Sequence, residues 1–565
     1  MTGGDRISDL PDDLLQHILY FAPAKEGAST SALARRWRTQ WLSSGAVNLD
    51  TRSYPGDRMQ LYSKRPAFVR DSGVALAAHG RRWPLRKFTV RVEGQQCQSV
   101  EIFLCRGDDI DDILDPMLKH QALRPVEELC IDGHAYRHQF QDRQESGYYE
   151  LNVASLPSKN LRVLRIYSCK CLKVPPASAP VAFPRLQELR LHFCSYVPLE
   201  GLQRVIDFAP QLAVLDFHSA RLSSEYEAPA QDIIYSTSEY VAPTEDIDYN
   251  NTSEYDAPTE YRDYSTPPPP PPVTLRCPSI TALVLSDCTW LDRHHSRAGV
   301  DLDAPVLRCF RYKGDFERPV TLKSQATGLT RLDIGFYPNS LSTHDQTCAS
   351  FSQCVESFNN AKVFKLKSNN IEFITAVSGG ETRTALFRSL QLLELEVQYN
   401  PGQSKATGQA IAYFLHCCPV IRELRLTLST TASETRSYGG YENETDPFGV
   451  KDELDFGKSV DQFFSRRGRK NPMITHEVSD HIHGLSGESF TCLQSSLRSV
   501  SLRFRRDKSE CFGVRLAKFF AENAMVLEEL YIDGGNQKLH DHINHTVGRC
   551  VAGSGFAVLP LERSK

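Results

Sequence analysis

The sequence predicts an α/β solenoid, a curved parallel sheet made of stacked strand-helix repeats, with a small all-α module in front of it. Three observations point there: a short apolar motif that recurs along the chain, amphipathic helical stretches between its copies, and an N-terminal stretch whose apolar residues follow helical spacing. A length of 565 residues favours an elongated design, because single cores stop growing at roughly 250–300 residues. With 41% hydrophobic and 24% charged residues, most of the chain has the composition of a folded protein.

The motif reads apolar-x-x-apolar-x-apolar. It opens at Val126, Leu161, Leu186, Leu212, Ile280, Leu307, Leu329, Ala361, Leu390, Ile421, Leu497 and Leu527. Its last two apolar positions lie two residues apart, so they share one face of a short strand while the residue between them faces the other way. Between copies, Leu199 to Leu212, Gly408 to Ile421 and Val514 to Leu527 carry apolar residues at steps of three and four, and the first two meet a Pro. A unit of this kind cannot bury its apolar face alone and must stack on its neighbours.

The recurrence over roughly residues 90–535 resembles the leucine-rich-repeat family. By that resemblance Cys169, Cys194, Cys288 and Asn369, each three residues past a strand's last apolar position, take the place where Asn or Cys hydrogen-bonds the turning backbone. Exposed strand residues such as Arg162, Arg165, Glu188 and Arg190 would face a partner. The competing architecture is a compact doubly wound sheet, and no Gly-rich phosphate turn supports it.

Two interruptions break the period. Between Leu212 and Ile280, the stretch from Ser224 to Tyr264 holds eleven Asp and Glu against one Arg, with S-E-Y-x-A-P copies from Ser224, Ser238 and Ser253, and six prolines follow from Pro267 to Pro272. Such sequence cannot repay its ordering entropy, and the proline run favours polyproline II. It reads as an insert looping out of the stack, either a recruiting segment or a tolerated expansion. The second interruption, from Thr430 to Glu488, contains the basic run Arg466 to Lys470 together with His476, His481 and His483. The run reads as a solvated loop cluster or a short import signal, and the histidines as loop residues, since no Cys pair accompanies them at ligand spacing.

The formal charge of −4 hides this division, because everything outside the acidic insert sums to only about +6. A surplus that small is no stripe for phosphates, so nucleic acid is not an expected partner. No basic segment followed by an apolar one opens the chain, and nothing reaches the ~18 apolar residues of a membrane span. The sixteen cysteines then read as reduced thiols of a cytoplasmic or nuclear protein, with the sequons at Asn250, Asn251 and Asn443 unused.

Near the N-terminus, Pro11 suits a first helical position, and Asp12 and Asp13 complement the macrodipole. Leu14, Leu15, Ile18 and Leu19 form an i, i+4 stripe, Ala22-Pro23 ends it, and a second helix is expected from about Thr30 with Leu33, Trp37 and Trp41 at four-residue steps. This segment resembles an F-box, the motif by which substrate receptors attach to a Skp-type adaptor, and through it a cullin, in SCF ubiquitin ligases. The resemblance implies that Leu10, Pro11, Leu14, Leu15, Ile18, Leu33 and Trp37 contact the adaptor. The chain departs from the pattern at Ala22, Ala28 and Ala34, where plant-type members carry larger apolar residues or Ser. Val526 to Val551 is similar to the closing segment of plant F-box leucine-rich-repeat proteins and reads as a cap. The competing reading of the N-terminal segment is a helical cap on the first repeat.

The expected partition is thus 5–50 for the F-box, 51–89 connecting, 90–223 first repeats, 224–272 insert, 273–429 second repeats, 430–488 polar loop, 489–551 last repeats and cap, and 552–565 tail. The P-loop, nucleophile-elbow and zincin patterns are absent, no cofactor is expected, and Cys169, Cys171, Cys417 and Cys418 read as structural thiols. Two functions compete: a non-catalytic ubiquitin-ligase subunit that holds an unidentified protein substrate, and a repeat scaffold whose degenerate F-box joins no ligase.

Overall fold

The computed structural model describes residues 7, 10–56, 61–104, 112–135, 149–174, 182–223, 273–291, 299–337, 344–369, 387–399, 404–430, 481–504, 512–533 and 557–560, save positions 81, 96, 315, 317, 318 and 325. The acidic insert, its S-E-Y-x-A-P copies, the prolines, the three sequons, the basic run with His476, and nearly all of the cap after Asp533 lie outside them.

The recurring motif forms one sheet of fifteen strands, every neighbouring pair parallel. In chain order these are β1 (Ala46–Asp50), β2 (Lys87–Gly94), β3 (Glu128–Ala135), β4 (Val163–Tyr167), β5 (Glu188–His192), β6 (Val214–His218), β7 (Ala282–Ser286) and β8 (Cys309–Gly314). They continue as β9 (Arg331–Phe336), β10 (Val363–Ser368), β11 (Leu392–Tyr399), β12 (Glu423–Thr430), β13 (Ser499–Phe504), β14 (Glu529–Asp533) and β15 (Ala557–Pro560). Each adds to the edge of the one before, so β6 pairs directly with β7 across the acidic insert. Burial alternates as the motif requires: Leu164 and Ile166, Leu189 and Leu191, Leu215 and Phe217 point inward, and the residues between them face out.

The sheet begins earlier than the repeat block expected at 90. β1 and β2 are its first strands, and the expected connecting segment 51–89 supplies β2's start and helix α4, Leu61–Ala78, which carries Phe68 into the core. β1 lacks the full spacing, since Ser44 stands where the first apolar residue would be and Val47-Asn-Leu49 holds only the last pair; β2 has the whole motif at Leu85, Phe88 and Val90, all buried, and the sequence reading passed over it.

Behind the sheet, the three anticipated helices are present as Leu199–Asp207, Ser404–Cys417 and Phe512–Asn523. Helices also fill other returns, such as Cys97–Leu104 and His344–Ser357, while several returns are extended and make three small parallel sheets, for example Val273–Arg276 with Val300–Asp303 and Val320–Leu322. Aromatic rings fill this layer, with Phe310 and Phe358 stacked at 4.2 Å and Phe316 edge-on to both Phe336 and Phe351. The polar loop expected over 430–488 is shorter at both ends. Thr430 closes β12, and Ile482 and Leu485 are buried, with the backbone of His483 so near Gly408 that a Cβ there would meet its carbonyl oxygen at 2.3 Å.

Four successive strands, β4 to β7, hand the chain to the next turn in the same way. Ser168, Phe193, Ser219 and Asp287, the residues after β4, β5, β6 and β7, all have positive φ of 48° to 58°. Their N–H groups donate to His192, His218, Ser286 and Lys313 carbonyls on the following strand, so the ladder continues past the strand end. Two residues beyond the strand, buried Cys169 and Cys194 and half-buried Cys288 take the role the resemblance gave them. The Cys169 thiol donates to the Tyr149 carbonyl, Cys194 to His192, and Cys288 to Phe217 and Ser286. Burial pushes the Cys194 and Cys288 thiols up to about 12 and raises that of Cys169 well above the ordinary thiol value, and neutral thiols are poor nucleophiles. Asn369 differs, since it is exposed at the start of a gap in the description.

The left-handed turn costs an L-residue roughly 1–2 kcal/mol, most for β-branched side chains. Ser219→Val is therefore expected to lower unfolding stability in urea by about 1–2 kcal/mol, with Ser219→Gly within about 0.5 kcal/mol of the parent; equal losses for both would contradict the turn geometry.

Candidate functional site

The N-terminal module packs its buried apolar residues into the core of the sheet. Helix α1, Asp12–Phe21, begins directly after Pro11, whose φ of −55° and ψ of 153° make it the last extended residue, one position ahead of the expectation. At 100° per residue, α1 presents two apolar lines: Leu15 and Leu19 on one side, Leu14, Ile18 and Phe21 on the other. Leu15 and Leu19 turn inward and join a continuous core with Trp37, Trp41, Val47 and Leu49. Asn48 on β1 donates to the Tyr20 and Ala22 carbonyls, both at 2.9 Å, and the Tyr20 hydroxyl donates to Glu128 on β3 at 3.2 Å. Helix α2, Ala24–Ser29, closes over Trp41 so tightly that a Cβ at Gly27 would lie 2.6 Å from the indole.

The second helix expected from Thr30 is broken. A 3-10 turn, Thr30–Ala32, is followed by extended Ala34 (φ −158°, ψ 162°), a second 3-10 turn, Arg35–Thr39, and helix α3, Gln40–Ser44. An unbroken helix would put Leu33 and Trp37 on one face; the break at Ala34 sends Leu33 out and Trp37 in. Arg36 fastens the turn to α1, pairing with Asp12 at 2.6 Å and donating to the Leu10 carbonyl, and its hydrogen bond holds the Asp12 carboxyl below its ordinary value.

The seven residues named for adaptor contact consequently divide. Leu14 (46% exposed), Ile18 (51%) and Leu33 (72%) are open apolar residues, Pro11 is exposed and Leu10 is half-buried. Leu15 (0%) and Trp37 (7%) are sealed inside and cannot touch a partner; they shape the module instead. Phe21, a turn beyond Ile18, is an exposed apolar residue that the sequence reading passed over, although its i+3 spacing from Ile18 was the available signal. Of the departures from the pattern, Ala22 and Ala28 pack against the core, and Ala28 lines a cavity of about 210 Å³ with Trp41, Tyr54 and Val74.

Residues 114–228 match the family model described as "FBD-associated F-box protein At5g56370, LRR repeats". The chain resembles the plant F-box/leucine-rich-repeat proteins. In Arabidopsis thaliana, putative F-box/LRR-repeat protein At5g41840 is 44% identical over 104 residues, 17% of this chain and 19% of that protein. F-box/LRR-repeat protein At4g14103 is 33% identical over 130 residues, 22% and 29%, and F-box/FBD/LRR-repeat protein At5g22700 is 28% identical over 211 residues, 37% and 40%. The chain thus spans between about a fifth and two fifths of the length of these relatives.

The outward face of the leucine-rich-repeat sheet carries a ladder of charges in register. Arg165 on β4 and Arg190 on β5 both reach Glu188, at 3.0 and 2.8 Å, so these exposed-strand residues neutralise one another; Arg162, just before β4, pairs with Glu127 at 3.5 Å. His192 stands 3.4 Å from Asp216. Further along, Lys365, Lys367 and Arg425 share Glu394, Glu396 and Glu423. Between these groups, Arg311 and Arg331 converge on Asp333 at 3.0 and 2.7 Å.

Two outcomes are expected for the module. Trp37→Ala and Leu15→Ala should each cost about 2–5 kcal/mol of stability, whereas Ile18→Ala and Leu33→Ala should leave urea unfolding within about 0.5 kcal/mol of the parent. His79, buried edge-on to Trp41 behind the module, has its pKa lowered by burial. The unfolded chain therefore binds its proton more readily, so the contribution of neutral His79 is complete above its ordinary value and is lost as pH falls below about 6.5. The urea midpoint of the parent should drop more between pH 7.5 and pH 5.5 than that of His79→Phe; identical drops would contradict this.

Proposed function

We propose that this chain is the substrate-binding subunit of an SCF-type ubiquitin ligase. In this reading its F-box-like module docks a Skp-type adaptor, and through it a cullin, while the repeat sheet holds a protein for ubiquitination. The observation that carries the reading is the split face of α1: Leu15 and Leu19 are used in folding, while Leu14, Ile18 and Phe21, with Leu33 nearby, are apolar and uncovered. A cap for the first repeat has no use for that second line, and contiguous exposed apolar surface is costly unless something covers it. The chain's contribution is then proximity and orientation, with the transfer chemistry done by a conjugating enzyme, and no cofactor is needed. Eleven cysteines among the described residues are free, which suits a reducing compartment, cytoplasmic or nuclear.

The purified chain is expected to co-elute with a Skp-type adaptor on size exclusion. Ile18→Asp combined with Leu33→Asp should abolish co-elution while leaving the melting temperature within a few degrees of the parent. Trp37 is a poor probe, because its loss unfolds the module. A parent chain that elutes apart from the adaptor would favour the scaffold reading, in which the repeats bind a partner outside any ligase.

A further inference from the structure

The charge ladder has one imbalance. Among the described ion-pair groups on β3 to β12, the cluster on β8 and β9 is the one with more cations than carboxylates: Arg311 and Arg331 share only Asp333. Arg311 uses Nε and one terminal nitrogen on a single carboxylate oxygen, and Arg331 uses Nε on the other. The Asp333 side chain is 9% exposed, beneath guanidinium-bearing side chains that are 54% and 43% exposed, so what the cluster shows to solvent is cationic. Nearby acids are engaged elsewhere: Asp287 with Lys313 at 2.8 Å, Asp216 with His192, and Glu394 and Glu396 with the lysines of β10. Beside the cluster, β7 exposes no charge on this face. Its Ala282, Val284 and Ser286 stand in register with Val214, Asp216 and His218 on one side and with Cys309, Arg311 and Lys313 on the other. Val214, Ala282, Val284 and Cys309 thus make an uncharged floor one strand, about 4.8 Å, from the spare positive charge.

We infer that the outward face at β7 to β9 binds an extended acidic peptide segment of the partner protein, with one carboxylate on Arg311 and Arg331 and an apolar side chain on Val284. Two residues of an extended chain that face the same way are about 7 Å apart, which matches the roughly one and a half strand spacings from Val284 on β7 to a carboxylate lying between Arg311 on β8 and Arg331 on β9. The terminal nitrogens left on both arginines offer the fork that a carboxylate accepts with two bonds. This inference rests on the reading of the repeat sheet as the partner-holding surface, and it names the chemistry selected there.

The test pans a phage library of random dodecapeptides on the full chain, in parallel with Arg331→Gln and Val284→Asp. Arg331→Gln removes the spare charge without orphaning Asp333; Val284→Asp gives Arg311 a cross-strand carboxylate and covers the floor. The parent is expected to enrich peptides with Asp or Glu two residues from an aliphatic or aromatic residue, bound at least tenfold more weakly by either variant, with unchanged melting temperatures and unchanged adaptor co-elution. No enrichment, enrichment of basic or neutral peptides, or equal binding by the variants would overturn the inference. Displacement of the selected phage by a synthetic peptide of residues 224–264 would give the site to the chain's own acidic insert and equally overturn assignment to a partner. Selection of acidic peptides by a chain that fails to co-elute with the adaptor would sink the ligase reading and leave this one standing.

Discussion

Everything in this molecule follows from one packing constraint: no repeat can bury its apolar face without the next. A strand such as Glu188–His192 offers Leu189 and Leu191 to a thin layer of side chains, and that layer is completed only by β4 on one edge and β6 on the other. The left-handed turns after β4 to β7 keep the ladder going at points where it would otherwise fray, with cysteine thiols packed beside three of them. Because neighbours and not distant segments supply the stability, 49 residues of acidic and proline-rich sequence stand between Ser223 and Val273 while β6 and β7 still pair in full register.

The same constraint governs the N-terminal module. The edge of the sheet at β1 needs a cover, and Leu15, Leu19, Trp37 and Trp41 provide it. The module is therefore a cap, as one expectation held, and its helix nonetheless carries a second apolar line that capping does not use. Tyr20 with Glu128, and Asn48 with the end of α1, hold the two parts together, so a partner seated on the outer line would be held in a fixed relation to the repeat sheet. That relation is what a subunit acting by orientation requires.

Most of the sheet was legible from spacing alone, because a period of two within a repeat of a few tens of residues leaves little freedom in which side chains point inward. β1 escaped because it keeps only the last apolar pair of the motif, whereas β2 was legible in its full Leu85, Phe88 and Val90 spacing and was passed over; extended return segments such as Val273–Arg276 escaped because the sequence there offers no periodicity to read. In the module, type was readable and orientation was not. A stripe of four apolar residues on α1 does not say which two face home, and the break at Ala34 that separates Leu33 from Trp37 is a backbone event with no Gly or Pro to announce it. The unbalanced arginine pair was out of reach for a different reason. Arg311 and Arg331 meet Asp333 only once adjacent strands are placed in register, and no linear pattern records that.

The central claim, that one side of α1 is sealed by folding and the other by a partner, is tested most directly by radical footprinting of side chains with and without a Skp-type adaptor. The account expects Leu14, Ile18, Phe21 and Leu33 to be oxidised in the free chain and shielded on mixing, with Leu15, Leu19 and Trp37 unreactive in both. Oxidation of the first four that is unaltered by the adaptor, or reactivity of Leu15 and Trp37 in the free chain, would contradict it.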